Sequence, residues 1–215
     1  MKKRSQHTEG QSIRTSLFAL LYVSLGFASV LAQTNYKVIN VTDGGIITGR
    51  VVFAGTPRPE GNLEITKDMK HCGVVKSSGR LLLSKDGGVR NAVISIEEIN
   101  QGKKFAEYVK PVLDQRKCEY LPHVQVLPFG TTLEIVNSDE ILHNVHAYAG
   151  GQDMRSVFNI AQPIKGQKTT IKQAQLAQPG LLYLSCDAGH PWMTAYILLA
   201  EHPYYCVTQP DGSFE

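Results

Sequence analysis

The sequence predicts an all-β fold built as a sandwich. Short runs rich in β-branched and apolar residues recur along the chain, and Gly or Pro turns separate most of them. No segment shows the long apolar period of 3.6 residues that a packed helix would give. Many short strands at this spacing are typical of a sandwich or barrel. With 42% hydrophobic and 19% charged residues, the chain is also too apolar to be disordered.

The first predicted strand spans residues 45–55, where a β-branched run between glycines ends at a Thr-Pro-Arg-Pro turn. Residues 105–115 are predicted as a short helix. The turn at 209–212 is followed by only three residues, so either the sequence is a fragment or its last strand is very short. The other predicted strands are 89–96, 124–127, 131–136, 145–148, 169–172, 181–186 and 194–200.

The first 32 residues have the pattern of a secretory signal peptide. A basic start at residues 2–4 precedes an apolar run at 17–25, and small residues favour cleavage after Ala32. An uncleaved membrane anchor is the alternative, but the apolar stretch is broken by polar and glycine residues and is shorter than the roughly 20 residues of a spanning helix. Cleavage would leave a polar leader, 33–44, and one domain, 45–215, with no membrane association.

The positive charge of the chain is concentrated in this N-terminal segment. The whole sequence has 22 basic and 19 acidic residues, a formal charge of +3. The first 32 residues hold four of the basic residues and one of the acidic ones, so the remainder is formally neutral. Because no basic cluster survives to neutralise phosphates, the sequence argues against nucleic acid as a partner.

One loop near the C-terminus carries a soft metal-ligand set. The predicted strand 181–186 ends at Cys186, and the following loop presents His190 and Met193 before the next strand begins. A thiolate, an imidazole and a thioether suit copper and do not suit Mg²⁺ or Ca²⁺. A His₂Cys trigonal plane with a weak axial Met needs a second histidine, and His143, followed by Asn144, provides one.

These residues resemble the cupredoxin, or blue copper, family, in which a His-Asn pair precedes a Cys, His and Met loop at one end of a Greek-key sandwich. On that resemblance His143, Cys186, His190 and Met193 are the ligands, and the Asn144 side chain ties the two ligand loops together. Over roughly residues 44–215 the chain is also similar to a secreted bacterial subgroup described as methylamine-utilisation or plastocyanin-like. The segments that carry this wider likeness are 49–55, 118–124, 202–205, Thr208 and 211–214.

The resemblance implies a secreted or periplasmic protein that is not an enzyme and that carries electrons on one copper ion, cycling between Cu(I) and Cu(II). Transfer would be outer-sphere, to and from redox partner proteins, with His190 as the exposed edge through which the electron leaves. Trp192 is expected either in the docking surface or packed inside. Two other interpretations stay open: a redox-inactive copper carrier or storage protein, and a β-sandwich recognition module with a structural metal.

Two details of the ligand pattern depart from plastocyanin-like members. Three residues separate Cys186 from His190 where those members have two, and the Cys-x₃-His-x₂-Met spacing resembles half of a binuclear copper loop. A binuclear centre would need a second Cys four places upstream, where this chain has Leu182, so we expect a mononuclear site. His146 is the rival to His143 as the upstream ligand.

The cysteine count leaves room for one disulfide. With Cys186 assigned to copper, three cysteines remain, and we predict a Cys72–Cys118 bond because both residues flank loops in the N-terminal half. Cys206, in a tyrosine-rich strand, is expected to be unpaired. The remaining alternatives are a second metal site at His71, beside Cys72, or at His123, for which a hydrogen bond within the sandwich is the simpler expectation.

Motifs of common enzymes are absent from the sequence. It contains no Gly-x-Ser-x-Gly, no phosphate-binding glycine loop and no His-Glu-x-x-His. Nothing in the motif content therefore points to catalysis.

Overall fold

Alternation of buried and exposed side chains organises the chain into strands. The computed structural model describes residues 35–58, 61–106, 110–150 and 154–215, all within one compact unit, residues 31–215. Two short helical turns, α1 (Met69–Cys72) and the 3₁₀ turn η1 (Gln173–Leu176), accompany the strands. In the described ranges the strands are β1 (Lys37–Val38), β2 (Gly49–Arg50), β3 (Asn62–Glu64), β4 (Val75–Ser77), β5 (Val93–Ser95), β6 (Gln101–Gly102), β7 (Val112–Gln115), β8 (Tyr120–Leu121), β9 (Val124–Pro128), β10 (Leu133–Asn137), β11 (His143–Ala149), β12 (Arg155–Gln162), β13 (Lys168–Ile171), β14 (Gly180–Ser185), β15 (Thr194–Ala200), β16 (Tyr205–Val207) and β17 (Ser213–Phe214).

Two sheets make up the sandwich. One has the strand order β12-β11-β14-β15-β9 and the other the order β13-β10-β7-β8. The chain crosses from one sheet to the other between β8 and β9, β9 and β10, β10 and β11, β12 and β13, and β13 and β14. Side chains from the facing strands, including Ile135 and Leu113 on one side and Leu184 and Ile197 on the other, belong to one apolar core. The predicted all-β sandwich is confirmed.

Register in the five-stranded sheet brings two distant parts of the chain to one edge. β11 and β14 are antiparallel, with His146 opposite Ser185 and Ala147 opposite Leu184. The first residues of β11 therefore lie beside the last residues of β14. The loop 186–193, which joins β14 to its antiparallel neighbour β15, emerges at the same edge.

A helix was wrongly predicted in residues 105–115. Val112–Gln115 is strand β7, which runs parallel to β10. Its residues alternate in burial, with Leu113 and Gln115 fully buried, so a period of two governs the segment. Residues 107–109 lie outside the described ranges.

Short and edge strands account for the other differences from the sequence prediction. The predicted strand at 45–55 is reduced to β2, which pairs with β17, the very short last strand. β12 was not predicted, because it lies at the edge of its sheet and only Phe158 and Gln162 along it are buried. The signal peptide predicted for residues 1–32 lies outside the described residues. Among the described residues, no helix combines the length and apolar character needed to cross a bilayer.

The predicted disulfide is confirmed. Cys72, at the end of α1, is bonded to Cys118, in the turn between β7 and β8, and the Cα atoms lie 5.2 Å apart. Cys206 carries a free, half-buried thiol. The bond joins β7 and β8 of the sandwich to residues 62–77, the hairpin of β3, α1 and β4, which we call the covering segment.

Removing this disulfide should destabilise the fold. The bond spans 46 residues, and the chain-entropy treatment of such a loop gives about 4 kcal/mol. We expect the double variant Cys72→Ser/Cys118→Ser to lose up to about that much free energy of unfolding, measured by denaturant titration. Cys206→Ser is the matched control and should change stability by less than about 1 kcal/mol. Equal stability of both variants would contradict this account.

Candidate metal centre

Three side chains that could bind a metal converge at the β11–β14 edge. His143 opens β11, while Cys186 and His190 lie in the loop after β14. One ligand atom from each residue lies within 4.8 Å of the other two. The Nδ1 atoms of the two histidines are 3.2 Å apart, and Cys186 Sγ is 3.6 Å from His190 Nδ1. Both histidines are fully buried and Cys186 is 5% exposed.

These separations fit a first-row transition metal. With metal–ligand bonds of about 2.0–2.3 Å, three donors in a trigonal arrangement lie about 3.5 Å apart. The two measured separations, 3.2 and 3.6 Å, bracket that value. The donor set, one sulfur and two imidazole nitrogens, is soft enough to prefer copper or zinc to magnesium or calcium.

Met193 closes the same loop. It is 1% exposed, and its backbone N–H donates to the carbonyl of His190 at 2.9 Å. Trp192 is 7% exposed and its ring packs 5.2 Å from the His190 ring, so it is packed inside. A cavity of about 300 Å³ opens on this side and is lined in part by Trp192, Met193 and Tyr120. The ligand loop therefore borders this cavity at Trp192 and Met193.

Each histidine has a carboxylate on its far nitrogen. Asp139 Oδ2 lies 2.8 Å from His143 Nε2, and Asp68 Oδ2 lies 2.9 Å from His190 Nε2. An imidazole that donates Nε2–H to a carboxylate keeps its Nδ1 lone pair free for a metal. Sequence reasoning missed both aspartates. Asp139 carried a weak signal, four residues before His143, whereas Asp68 is 122 residues from His190 and carried none.

Electrostatics favour a thiolate at Cys186. Burial by itself raises the thiol pKa, but hydrogen bonds with His143 and His190 and from the backbone N–H groups of Ala188 and Asn144 outweigh it. The pKa falls to about 6. For His190, burial lowers the pKa, yet its interactions with Cys186 and Asp68 are stronger and raise it. The site therefore stabilises a negative sulfur beside a readily protonated ring.

Asn144 joins the two ligand-bearing segments. Its Oδ1 accepts a hydrogen bond from the backbone N–H of Asp187 at 3.2 Å, and its Nδ2 donates to Asn159 Oδ1 at 2.6 Å. Its backbone carbonyl accepts a hydrogen bond from the buried hydroxyl of Tyr120. That hydroxyl also interacts with the Cys186 sulfur, and burial together with the negative sulfur raises the pKa of Tyr120. Tyr120 is a further neighbour of the thiolate that the sequence did not indicate.

The expectation that His190 forms an exposed edge is wrong. The covering segment places Asp68 against its ring, and Lys67 Nζ donates to the Ala188 carbonyl at 2.6 Å. His190 has no exposed surface. The covering segment therefore lies over the ring of His190, where solvent access was expected.

The remaining histidines considered in the sequence lie outside this cluster. His146, the rival to His143, is half-buried and hydrogen bonded to Asp187 and Ser156. His123 Nδ1 bonds the Thr194 carbonyl at 2.9 Å, which matches the simpler expectation for it. Beside His71, the sulfur of Cys72 is in a disulfide and is not a thiolate ligand.

Comparison with known proteins finds similarity only among solved structures. No family model and no curated protein matches the chain. A copper-containing nitrite reductase from Thermus scotoductus SA-01 is 19% identical over 51% of this chain, spans only 25% of that protein, and has a TM-score of 0.35. A Cu(I) form of an amicyanin variant is 22% identical over 42% of this chain and 82% of its own, with a TM-score of 0.35. A purple cupredoxin from Nitrosopumilus maritimus is 18% identical over 42% of this chain and 100% of its own, with a TM-score of 0.36. Similarities this low do not assign the chain to a family.

Asn144→Ala should loosen the connection between the two ligand-bearing segments. It removes the acceptor of the Asp187 N–H in a largely buried position, which should cost about 1–3 kcal/mol of unfolding free energy. Asn159→Ala, which removes an exposed side chain that bonds the Asn144 amide, His146 and Asp187, is the comparison variant and should cost less. Chemical denaturation of the apo protein measures both. A smaller loss for Asn144→Ala than for Asn159→Ala would overturn the role given to Asn144.

Proposed function

We propose that the protein binds one copper ion through His143, Cys186 and His190, with Met193 as a weaker fourth ligand, and functions in electron transfer. The observation that carries this proposal is the convergence of two imidazole Nδ1 atoms and one cysteine sulfur in a cluster of buried side chains. A bound copper ion would supply a one-electron Cu(I)/Cu(II) couple. A β-sandwich that carries such a copper site would be a cupredoxin. The low pKa of Cys186 supports a thiolate ready to bind at neutral pH.

The donor set favours copper over zinc. Two imidazoles and a thiolate are shared by sites for both metals, but a thioether selects copper. Met193 follows Cys186 by seven residues in the same loop and is fully buried at its end. An electron carrier needs ligands that move little between oxidation states, and these are held by Asn144, Asp68 and Asp139 through hydrogen bonds outside the metal-binding atoms.

We propose that electrons pass between the centre and the surface by way of Asp68. Its side chain is 34% exposed and is one hydrogen bond of 2.9 Å from His190, which itself is buried. A partner docked over the covering segment would thus be separated from the His190 ring by one carboxylate. This replaces the exposed imidazole edge expected from the sequence.

The proposed function includes an oxidising compartment and redox proteins as partners. A stable disulfide between Cys72 and Cys118 suits an oxidising environment such as the periplasm or the exterior of the cell. The signal-like pattern of residues 1–32 supports export. The partners would be redox proteins that give and take single electrons. Transfer would be outer-sphere, because the ligand atoms are enclosed by protein.

Loading the purified protein with Cu(II) tests the assignment. We expect one copper per chain, an intense visible band from thiolate-to-copper charge transfer, and reversible reduction. Cys186→Ser should abolish that band, whereas Cys206→Ser, which alters the free thiol outside the cluster, should retain it. A colourless protein that binds only Cu(I) would instead support a copper carrier. A band that survives Cys186→Ser would refute the ligand assignment.

Replacing Met193 with Leu tests the fourth ligand. Leu preserves the volume of the buried side chain, so stability should fall by less than about 1.5 kcal/mol. Because a weak fourth ligand would tune the potential of such a centre, removal of the thioether should raise the reduction potential while the visible band remains. Voltammetry and absorption spectra measure the two effects. An unchanged potential would show that Met193 fills the core without binding the metal.

A further inference from the structure

We propose that Asp68 and Asp139 are positioning residues that grip the two histidines from outside, and that the Cys72–Cys118 disulfide holds them together as one carboxylate clamp. This inference rests on the proposed metal site and extends it to residues that do not touch the metal. The clamp is defined by Asp68, Asp139, Cys72 and Cys118. Neither carboxylate was indicated by the ligand motif, and they come from separate parts of the chain.

Asp139 is fixed by more contacts than a surface carboxylate would have. Its Oδ1 accepts from the Lys117 N–H at 2.7 Å, and its Oδ2 accepts from the Cys118 N–H at 2.8 Å as well as from His143 Nε2. Its own backbone N–H donates to Asn137 Oδ1 at 3.0 Å. These four hydrogen bonds fix the carboxylate in one orientation.

Asp68, in the covering segment, contacts His190 as Asp139 contacts His143. It is the residue before α1, and its backbone carbonyl accepts the N–H groups of His71 and Cys72 at 2.8 and 3.0 Å. Its side chain makes no cap of that helical turn and is directed to His190 instead. A carboxylate at this position commonly caps its own helix. Here the Asp68 carboxylate bonds His190 instead of the N–H groups of its own helical turn.

The disulfide links the helical turn that follows Asp68 to the turn that binds Asp139. Asp68 begins the turn that ends at Cys72, and Cys118 donates its backbone N–H to Asp139. The disulfide thus joins Cys72, whose N–H bonds the Asp68 carbonyl, to Cys118, whose N–H bonds the Asp139 carboxylate. The sulfur of Cys118, the Asp139 carboxylate and a His143 ring nitrogen all lie within 4.8 Å of one another. Movement of either carboxylate is therefore restrained by the other.

Backbone strain is concentrated at and beside the clamp, at Asp68, Lys117 and Cys118. Among the described non-glycine residues, five have positive φ: two belong to the clamp, Asp68 at 53° and Cys118 at 56°, and a third, Lys117 at 55°, directly precedes Cys118. Such conformations are unfavourable for residues with a Cβ and persist where the surrounding structure imposes them, often at functional sites. At Lys117 and Cys118 they turn two successive N–H groups toward one carboxylate, which is an arrangement suited to binding an anion.

The clamp has a chemical consequence for the metal. Each carboxylate keeps the ring proton on Nε2, makes Nδ1 a more basic ligand and adds negative charge near the centre. All three effects stabilise Cu(II) more than Cu(I). The clamp should therefore lower the reduction potential of the site.

The apo protein provides the first test. Long-range ¹H–¹⁵N correlation spectra in mildly alkaline solution show which nitrogen of each ring carries the proton. We expect His143 and His190 to be Nε2–H tautomers in the wild type. Asp139→Ala should affect the tautomer of His143, and Asp68→Ala that of His190. Unchanged tautomers in both variants would overturn the proposal, even if copper binds as expected.

Metal affinity provides the second test. Asp68→Asn and Asp139→Asn keep a hydrogen-bond acceptor but remove the charge, and each should weaken Cu(II) binding by about 10–100-fold. Cu(I) affinity should fall less, so the reduction potential rises. Glu140→Gln is the matched control, because Glu140 neighbours Asp139 but bonds Lys165 at 3.1 Å and no histidine. Competition with chelators of each oxidation state measures the affinities. If Glu140→Gln had the same effect as Asp139→Asn, general charge and not the clamp would be responsible.

The disulfide variant completes the set. Cys72→Ser/Cys118→Ser should broaden the tautomer signals of both histidines and lower Cu(II) affinity beyond the single aspartate variants. Sharp wild-type signals in this variant would show that the disulfide plays no part in the clamp. If the wild type failed to bind copper, the proposed function would fall, whereas the tautomer measurements would still decide whether the aspartates position the rings.

Discussion

The antiparallel pairing of β11 with β14 is the constraint on which the site depends. His146 opposite Ser185 sets a register that places His143 and Asn144 beside Cys186, although more than 40 residues separate them in sequence. A one-residue shift would turn Val145 and Ala147, which are fully buried, out of the core. The apolar contacts of the sandwich therefore hold His143 and the start of the ligand loop in place, and the loop between β14 and β15 brings His190 to them.

A covered ligand loop distinguishes this chain from the arrangement expected of its motif. The covering segment adds a disulfide, the Asp68 carboxylate and a hydrogen bond from Lys67 across the loop. Covering makes the site rigid and water-poor, which strengthens each electrostatic interaction within it. It also removes the exposed imidazole edge, so that contact with a partner would pass through the covering segment.

The sequence predicted several strands of both sheets closely, at the edges as well as inside. β15 was predicted at its observed bounds, and β9, β10, β13 and β14 to within two residues, since apolar and β-branched runs bounded by turn residues mark them. Edge strand β12 and strand β7 were missed, the first because few of its side chains are buried and the second because a short helical pattern overlapped it. At the site, the loop motif pointed to His143, Cys186, His190 and Met193. Asp68 left no pattern, because its relation to His190 exists only through the tertiary fold.

Hydrogen bonds around the cluster also offset the cost of burying its polar and charged groups. Two buried imidazoles and a thiolate would be costly without partners, because buried charges require neutralisation and hydrogen bonds. Here hydrogen bonds with His143, His190 and backbone N–H groups lower the pKa of Cys186, and Cys186 and Asp68 raise the pKa of His190. Both ligands must lose their protons to bind a metal, so binding would release protons into solvent. The fold orients these side chains through hydrogen bonds with Asp68, Asp139 and Asn144, which do not touch the metal position.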